Sequence, residues 1–295
     1  MQTRPFGTTG LSVTPLGFGA MHLNDARVGE AEAGALLNAV LDLGVNLVDT
    51  ARGYGLSEER IGRHLARRRG EFVLSTKVGY GIPGFEDWTY ACVLAGVDAA
   101  LARMRCGHLD IVHLHSCPLP VLERGEVIRA LEACVAAGKV RVAAYAGDNA
   151  ELDFALGSGR FASVQTSVSV CDQVNLAHRL PALRARGLGV IAKRPLAGAV
   201  WTRAERPGDH AEGAYWDRWR AMGLDRLPTD LPPGEVALRF AAHCPGVDAS
   251  IAGTASLEHF RRNLEAVEKG PLPTDLEEAI RSAFLHHGPG WAGLI

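Results

Sequence analysis

The apolar positions of this chain repeat as a unit made of a helical pattern, a glycine and a short apolar strand. Apolar residues three and four positions apart predict the helices, and short runs of β-branched and other apolar residues predict the strands. The predicted helix and strand pairs are 36–43 with 45–49, the helix from 57 with 72–77, 92–104 with 110–115, 131–137 with 140–146, 152–156 with 162–166, 180–185 with 189–192, and 236–242 with 247–252.

A glycine separates the helix from the strand in each unit, and we expect it to take the left-handed conformation that ends a helix. These glycines are Gly44, Gly70, Gly107, Gly138, Gly159, Gly187 and Gly246. A further apolar strand over residues 16–21 precedes the first unit and brings the number of strands to eight. Strand–helix alternation predicts a parallel sheet, and eight strands favour a closed (β/α)8 TIM barrel formed by one domain over residues 1–295.

Other segments depart from this rhythm. Residues 4–15 alternate around Thr9-Gly10, which predicts a β-hairpin before the barrel. Residues 78–88, residues 196–233 and the tail after Phe284 are predicted to form loops over one rim. Within the second loop, Tyr215 and Trp219 have i,i+4 spacing, so they indicate a short helix packed on the barrel, the wall of a lid, or both.

Three of the predicted strands end on an ionisable side chain. Asp49, Lys77 and His115 each share a strand face with the apolar residues that precede them. Because the carboxyl ends of barrel strands meet at one rim, we expect these groups to converge there. Tyr54 follows Asp49 by five residues, in a loop before a helix whose predicted N-cap is Ser57.

The ordered motifs Asp-Thr-Ala-x-x-Tyr-Gly-x-Ser-Glu, Ser-Thr-Lys and Leu-His, with Pro118 shortly after, resemble those of the aldo-keto reductase family. The resemblance covers nearly the whole chain. It implies NAD(P)(H)-dependent reduction of an aldehyde or ketone, or oxidation of an alcohol or sugar in reverse. It also implies that the hairpin closes the floor of the barrel.

The chemistry of the four polar groups agrees with that activity. A phenol has a pKa near 10 and is a poor proton donor alone, so a neighbouring cation such as Lys77 would make Tyr54 a better one. Asp49 would keep a buried Lys77 ionised, and His115 could hydrogen-bond and orient a carbonyl oxygen. No side chain supplies a hydride, so a cofactor must. The resemblance accordingly implies Tyr54 as the general acid.

The chain lacks the glycine fingerprint of a Rossmann fold, because Gly17-x-Gly19 is followed by His22 rather than a third glycine. The resemblance implies other cofactor contacts: the first-strand rim beside the nicotinamide, Asp49, Gln165 at the carboxamide, and an adenosine site late in the chain. These predicted cofactor-binding residues are Gly19, Ala20, Met21, Asp49, Gln165, Lys193, Arg194, Leu196, Gly253, Thr254, Ser256 and Asn263.

Two positions depart from the family pattern. Ala146-Gly147-Asp148-Asn149 replaces a common Ser-Asn pair, so a carboxamide contact is expected to be rearranged or lost. Lys193 replaces a tyrosine that stacks under the nicotinamide, and could reach a cofactor phosphate instead. Basic residues are also absent from Gly253 and His259, where relatives grip the 2′-phosphate. We expect NADP(H) to be preferred, with NAD(H) possible, and Arg261 or Arg262 to compensate.

Two other functions remain open. His113-x-His115 places two histidines on one strand face, as a zinc-dependent hydrolase would require, although that leaves Tyr54 and Lys77 without roles. The family resemblance also allows a nicotinamide-binding regulatory module with little turnover, like channel-associated β-subunits. The reductase prediction requires no metal.

The predicted substrate pocket is lined by Met21, Tyr80, Trp88 and Trp201, with Phe85 and Trp291 as further candidates. Aromatic walls suit sugars and hydrophobic carbonyls equally, so the expected partner is a small carbonyl or sugar molecule. A net charge of −2 gives no electrostatic case for binding nucleic acid or an acidic membrane. Six cysteines without a C-x-x-C pair, and no apolar signal or membrane-spanning run, predict reduced thiols and a cytoplasmic protein.

Overall fold

The computed structural model describes residues 1–24 and 28–295. The strands are β1 Arg4–Pro5, β2 Ser12–Val13, β3 Leu16–Gly19, β4 Leu47–Asp49, β5 Val73–Val78, β6 Leu109–His115, β7 Val140–Ala146, β8 Ser163–Ser167, β9 Gly189–Lys193 and β10 Ala249–Ala252. The α-helices are α1 Glu30–Asp42, α2 Ser57–Leu65, α3 Tyr90–Met104, α4 Leu119–Arg124, α5 Glu126–Ala136, α6 Asn149–Ser158, α7 Arg179–Ala185, α8 His210–Ala221, α9 Pro233–Ala242, α10 Leu257–Glu268 and α11 Thr274–His287. Short 3-10 helices cover Ala20–Leu23, Ala66–Glu71, Ala197–Thr202 and Leu224–Arg226.

Strands β3 to β10 form a closed barrel in the order β10-β3-β4-β5-β6-β7-β8-β9, with every neighbouring pair parallel. The predicted (β/α)8 barrel is therefore confirmed. Both faces of the strands are covered, the inner face by the other strands and the outer face by the helices. This double burial explains why their sequences are nearly continuous apolar runs.

The predicted hairpin is present and lies across one end of the barrel. β1 and β2 pair antiparallel, with Arg4 opposite Val13. Phe6, in the hairpin loop, is fully buried in the apolar cluster that fills the lower barrel interior. A Cβ atom on Gly189 would lie 2.6 Å from the Phe6 ring, so the start of β9 must be glycine for the ring to fit. The hairpin thus closes the floor, as the family resemblance implied.

The barrel interior changes from apolar to polar along the strands. On β5, Val73 belongs to the interior cluster, and Ser75 and Lys77 follow it on the same face because strand side chains alternate. On β6, Ile111 in the interior cluster is followed in the same way by His113 and His115. The polar groups therefore gather at the carboxyl-end rim.

Several local predictions need correction. Leu56, not Ser57, is the N-cap of α2, because the Ser57 hydroxyl turns inward to Thr50 Oγ1 at 2.8 Å and to the carbonyl of Ala20 at 3.0 Å. The first barrel strand ends at Gly19, and the predicted strand residues Ala20 and Met21 form a 3-10 helix.

The glycine prediction is correct at Gly44, Gly138, Gly159, Gly187 and Gly246, which all have positive φ. It is wrong at the two other positions. Gly70 lies inside a 3-10 helix, and before Gly107 the left-handed position is taken by Arg105, with φ of 53°. Arg105, the C-cap residue of α3, thus takes the role predicted for Gly107.

The predicted rim loops contain more regular structure than expected. Tyr215 and Trp219 lie on α8 and are almost fully buried in a second apolar cluster, which confirms the predicted packed helix. Helix α11 continues to His287, so the tail begins three residues later than predicted.

Candidate active site

The four polar residues predicted to converge are neighbours at the carboxyl-end rim. Lys77 Nζ lies 2.6 Å from Asp49 Oδ2 and 2.8 Å from the carbonyl oxygen of Thr50. The same ammonium lies 5.0 Å from the centroid of the Tyr54 ring. The rings of Tyr54 and His115 meet edge to face, with centroids 6.0 Å apart. A phenol and an imidazole thus stand side by side above a buried ion pair.

The buried ion pair is held by further hydrogen bonds to its carboxylate. Asp49 and Lys77 are each only 2% exposed, and Asp49 Oδ1 also accepts from Ser75 Oγ at 2.7 Å and Gln165 Nε2 at 2.9 Å. Burial lowers the pKa of Lys77, but the Asp49 carboxylate and the adjacent Tyr54 phenol outweigh it and hold the pKa above its ordinary value. Lys77 is therefore a permanent cation next to Tyr54.

His113 lies deeper in the barrel than His115 and supports the carboxylate. Its Nε2 lies 3.1 Å from Ser75 Oγ. Because Ser75 donates its only proton to Asp49, its oxygen accepts from His113. Burial lowers the pKa of His113 to about 4, so the ring is neutral. Among the described residues, no group of three or more His, Cys, Asp and Glu side chains could hold a metal ion.

His115 binds a second tyrosine. Its Nδ1 lies 2.9 Å from the Tyr80 hydroxyl. Burial, followed by the charge of Lys77, lowers the pKa of His115 to about 3, so this ring is also neutral. Because His113 and His115 are engaged with different partners, their arrangement offers nothing to the zinc hydrolase interpretation.

The predicted substrate residues fall into two groups. Tyr80 and Trp88 pack together on the loop after β5, with centroids 5.6 Å apart, and Met21 and Phe85 are 46% and 44% exposed. Trp201 instead packs on Trp219, at 5.1 Å between centroids, in the second apolar cluster. Trp291 packs in that cluster on Phe284 at 5.5 Å.

The predicted adenosine site begins where β10 and β3 approach closely. A Cβ atom on Gly253 would lie 2.8 Å from the carbonyl oxygen of Gly19, so this rim admits no side chain there. Thr254 Oγ1 accepts from the Ser256 amide, and Ser256 caps helix α10 by accepting from the His259 amide. The N-terminus of such a helix suits a phosphate. Asn263 is half-buried on the same helix.

Two residues predicted at the nicotinamide end of the cofactor site pair with each other. Lys193, expected near a phosphate, lies 2.9 Å from Asp148 Oδ2. Asp148 is fully buried and also accepts hydrogen bonds from the Thr166 hydroxyl, the Ser167 amide and the Asn175 side chain. Burial alone would raise the pKa of Asp148, but Lys193, Thr166 and the Ser167 amide outweigh it and lower the pKa below its ordinary value. Arg194 and Leu196, which follow Lys193, are half-buried.

The C-terminal tail docks on the same network. Asn149 forms a reciprocal pair of hydrogen bonds with the backbone of Gly293, and Ser167 Oγ donates to the carbonyl of Leu294. The Leu294 amide donates to Asp172 Oδ2 at 2.9 Å. The departure Ala146-Gly147-Asp148-Asn149 thus provides the anchor for the tail.

A nicotinamide cofactor fits these residues best at its phosphate and adenosine end. The close approach of Gly253 to Gly19 and the capped start of α10 suit the phosphate and adenosine end. The buried side-chain amide of Gln165 lies beside the Asp49–Lys77 ion pair. At the carboxamide, Ala146 and Gly147 offer only backbone groups. Lys193, which stands where the family pattern has a stacking tyrosine, is paired with the Asp148 carboxylate.

Asp172 gives the tail anchor a predicted pH dependence. Burial raises the pKa of Asp172 to about 7, and the nearby charge of Asp148 adds to this. Between about pH 4 and pH 7 the folded state then holds a proton that the unfolded state has released, so stability falls as the pH rises through this range. Asp172→Asn removes the titration. We expect the stability of this variant relative to wild type to rise from pH 4 to pH 8, by up to about 4 kcal/mol.

Denaturant unfolding at a series of pH values measures this difference, with the exposed Asp225→Asn as the control. A stability difference between Asp172→Asn and wild type that does not change with pH would refute the prediction.

The sequence interpretation did not predict the bond from Ser75 to Asp49, and it placed Tyr80 in the substrate pocket without its bond to His115. Ser75 stands directly opposite Asp49 in the register of β4 and β5, and it precedes Lys77 by two residues. That spacing was available as a signal for a residue on the same interior face. For the bond from Tyr80 to His115 the sequence carries no comparable signal.

Comparison with known proteins identifies the family of the chain. Residues 15–283 match the model of the Aldo/keto reductase family. The chain is 31% identical to L-galactose dehydrogenase of Arabidopsis thaliana over 282 residues, which cover 90% of this chain and 88% of that protein. It is 26% identical to the "Probable voltage-gated potassium channel subunit beta" of the same organism, over 96% of this chain and 97% of that protein.

Among solved structures, the holo form of aldo-keto reductase AKR11C1 from Bacillus halodurans superposes with a TM-score of 0.84. The two chains are 28% identical, and the match covers 96% of each. Among the described residues of this chain, no helix is both long and apolar enough to cross a bilayer. The chain belongs to the aldo/keto reductase family, and it is an NAD(P)H-dependent carbonyl oxidoreductase.

Proposed function

We propose that this enzyme reduces an aldehyde or ketone, or oxidises an alcohol or sugar in the reverse direction, with Tyr54 as the proton donor. The observation that carries the proposal is the buried Lys77–Asp49 pair at 2.6 Å, with its ammonium against the Tyr54 ring and His115 beside that ring. Tyr54 and His115 lie at the same rim, where both side chains could contact one carbonyl oxygen.

Each residue has a distinct task in this proposal. Tyr54 donates its phenolic proton to the carbonyl oxygen, and the Lys77 cation stabilises the negative charge left on the phenol. Asp49 holds Lys77 in place and charged. His115, neutral because its pKa is lowered to about 3, hydrogen-bonds the carbonyl oxygen and orients it.

A bound reduced nicotinamide supplies the hydride in this reaction. We propose that Gln165 contacts the carboxamide and that Gly19, Ala20 and Met21 border the ring. Gly253, Thr254, Ser256 and the start of α10 would hold the adenosine end. Lys193 would serve the cofactor only if it exchanged its partner Asp148 for a phosphate.

We propose a preference for NADP(H), with the 2′-phosphate bound by an arginine of α10. Arg261 is exposed and forms no ion pair with a residue of the described chain, whereas Arg262 lies 3.7 Å from Glu258. Arg261→Ala should therefore raise the Kd for NADPH about tenfold, or ~1.4 kcal/mol, and leave the Kd for NADH unchanged.

Fluorescence titration with both cofactors measures this effect, and Arg262→Ala serves as the matched control. Equal affinities of the wild type for NADPH and NADH would refute the preference. A larger effect in the control would move the contact to Arg262.

The substrate class is best approached with a panel of aldehydes, ketones and sugars, followed at the reduced-nicotinamide absorbance with each cofactor. The likeness to L-galactose dehydrogenase supports including sugars, and the aromatic side chains Tyr80 and Trp88 beside the mouth suit a sugar face or an apolar carbonyl. We expect turnover of at least one compound. Tight cofactor binding without turnover of any compound would contradict the proposal.

That outcome would favour the second candidate, a nicotinamide-binding regulatory module. Its support is the likeness to the plant protein named as a potassium channel subunit beta, which extends over nearly the whole chain. The retained set of Asp49, Tyr54, Lys77 and His115 favours the enzyme.

A further inference from the structure

Tyr80 forms a hydrogen bond with one specific ring nitrogen of His115. Its hydroxyl lies 2.9 Å from His115 Nδ1, and the two rings are stacked at 26° with centroids 5.5 Å apart. The other nitrogen, Nε2, hydrogen-bonds no residue within 1–24 or 28–295. One nitrogen of the ring is therefore occupied, and the other is available to a substrate.

The loop after β5 holds Tyr80 in place. Trp88 packs on the Tyr80 ring at 5.6 Å, and its amide donates to the carbonyl of Gly79 at 2.7 Å, which closes the loop. Gly53, next to Tyr54, comes so close that a Cβ atom there would lie 3.3 Å from the Tyr80 oxygen. Packing on both sides restricts the direction of the hydroxyl.

The chemistry of the pair decides which group donates. A phenol is a stronger acid than a neutral imidazole N–H, and an imidazole nitrogen is a stronger base than a phenol oxygen. The favoured bond therefore runs from the Tyr80 O–H to an unprotonated Nδ1. Burial raises the pKa of Tyr80, so the phenol keeps its proton, and the lowered pKa of His115 keeps the imidazole neutral.

We propose that Tyr80 is a positioning residue that fixes His115 as its Nε2–H tautomer, so that the ring donates a hydrogen bond to the carbonyl oxygen. This inference rests on the proposed function of His115. In the opposite tautomer Nε2 would present a lone pair to the oxygen and repel it. A neutral histidine orients a carbonyl only when the proton is on the nitrogen that faces the substrate.

Nitrogen-15 NMR of the uniformly labelled full-length protein tests the tautomer directly. Two-bond nitrogen–proton correlations distinguish protonated from unprotonated ring nitrogens, and the spectrum of His115→Gln identifies the His115 signals. In wild type we expect Nδ1 unprotonated and Nε2 protonated. A protonated Nδ1 in wild type would overturn the proposal, whatever the variants show.

The variant Tyr80→Phe keeps the ring and removes the hydroxyl. We expect the His115 Nδ1 signal to move and the second tautomer to become populated, whereas Tyr90→Phe, at the exposed start of α3, should leave both signals unchanged. With any substrate found by the panel, Tyr80→Phe should lower kcat/KM by about tenfold and leave cofactor affinity unchanged.

Unchanged His115 signals in Tyr80→Phe would overturn the proposal, and so would a changed tautomer with unchanged kcat/KM. The NMR measurement needs neither cofactor nor substrate. If the wild type turned over no carbonyl, the proposed function would fail while the tautomer result still stood, so the two failures can be told apart.

Discussion

Replacing Tyr54 by phenylalanine is expected to lower kcat by about 10²–10⁴-fold, the usual contribution of a general acid. The variant loses only the phenolic oxygen. Its ring can still pack on the Lys77 ammonium, which lies 5.0 Å from the ring centroid, and on His115. Cofactor affinity, measured by fluorescence quenching, should therefore stay at the wild-type value while turnover is lost.

The matched control for this substitution is Tyr90→Phe. Tyr90 is exposed at the start of α3, so removing its hydroxyl should leave turnover and stability unaffected. Wild-type turnover in Tyr54→Phe would reject Tyr54 as the proton donor. A parallel loss of cofactor binding would indicate instead that the hydroxyl holds the site together.

Lys77→Met is expected to destabilise the folded protein. It leaves the Asp49 carboxylate buried without its counter-ion, a change that typically costs about 3–5 kcal/mol. The hydrogen bonds from Ser75 and Gln165 to Asp49 remain and place the expected loss toward the lower end of that range. Turnover should also be lost, because the phenolate of Tyr54 would have no neighbouring cation.

Denaturant unfolding at neutral pH measures this stability loss in full. The pKa of Lys77 is raised in the folded state, so its stabilising contribution is complete below the ordinary lysine pKa of 10.5. It is lost only as the pH rises through the higher folded value. Lys139→Met breaks a surface ion pair to Asp98 and should have little effect.

A double variant separates charge from packing. Adding Asp49→Leu to Lys77→Met removes the unpaired carboxylate, and we expect part of the lost stability to return while turnover stays absent. A Lys77→Met variant as stable as wild type would contradict the inference that the buried Asp49 carboxylate depends on Lys77 as its counter-ion.

The barrel could be predicted from sequence because its signal is local and repeated. Each strand is an apolar run bounded by a helix and a turn, and the period-2 alternation carries Val73, Ser75 and Lys77 on one face whatever surrounds them. The convergence of Asp49, Lys77 and His115 follows from their positions at strand ends, because the carboxyl ends of all parallel strands in a closed barrel meet at the same rim.

Contacts made by loops could not be predicted in this way. The bond from Tyr80 to His115 depends on a loop whose backbone has positive φ at Gly79, Gly81 and Trp88, a path that no hydrophobic period encodes. The N-cap prediction at Ser57 failed for a related reason. The hydroxyl found partners in Thr50 and Ala20, which come close only once the barrel has formed.

The departures at residues 146–149 and 193 illustrate the same limit. The family resemblance predicted that a carboxamide contact is rearranged or lost and that Lys193 stands where relatives have a stacking tyrosine, but it did not predict the new partners of these residues. In the structure Asp148 and Lys193 pair with each other, and Asn149 binds Gly293, 144 residues away along the chain. Such long-range partners are fixed by tertiary packing and leave no mark in local patterns.

The most direct test of the central claim is transfer of deuterium from reduced nicotinamide labelled at its transferable position to a carbonyl compound, followed by mass spectrometry of the alcohol. The convergence of Asp49, Tyr54, Lys77 and His115 predicts that the wild type delivers one deuterium to the carbonyl carbon of each product molecule and that Tyr54→Phe delivers almost none in the same time. A protein that binds the labelled cofactor but transfers no deuterium to any aldehyde, ketone or sugar would contradict it.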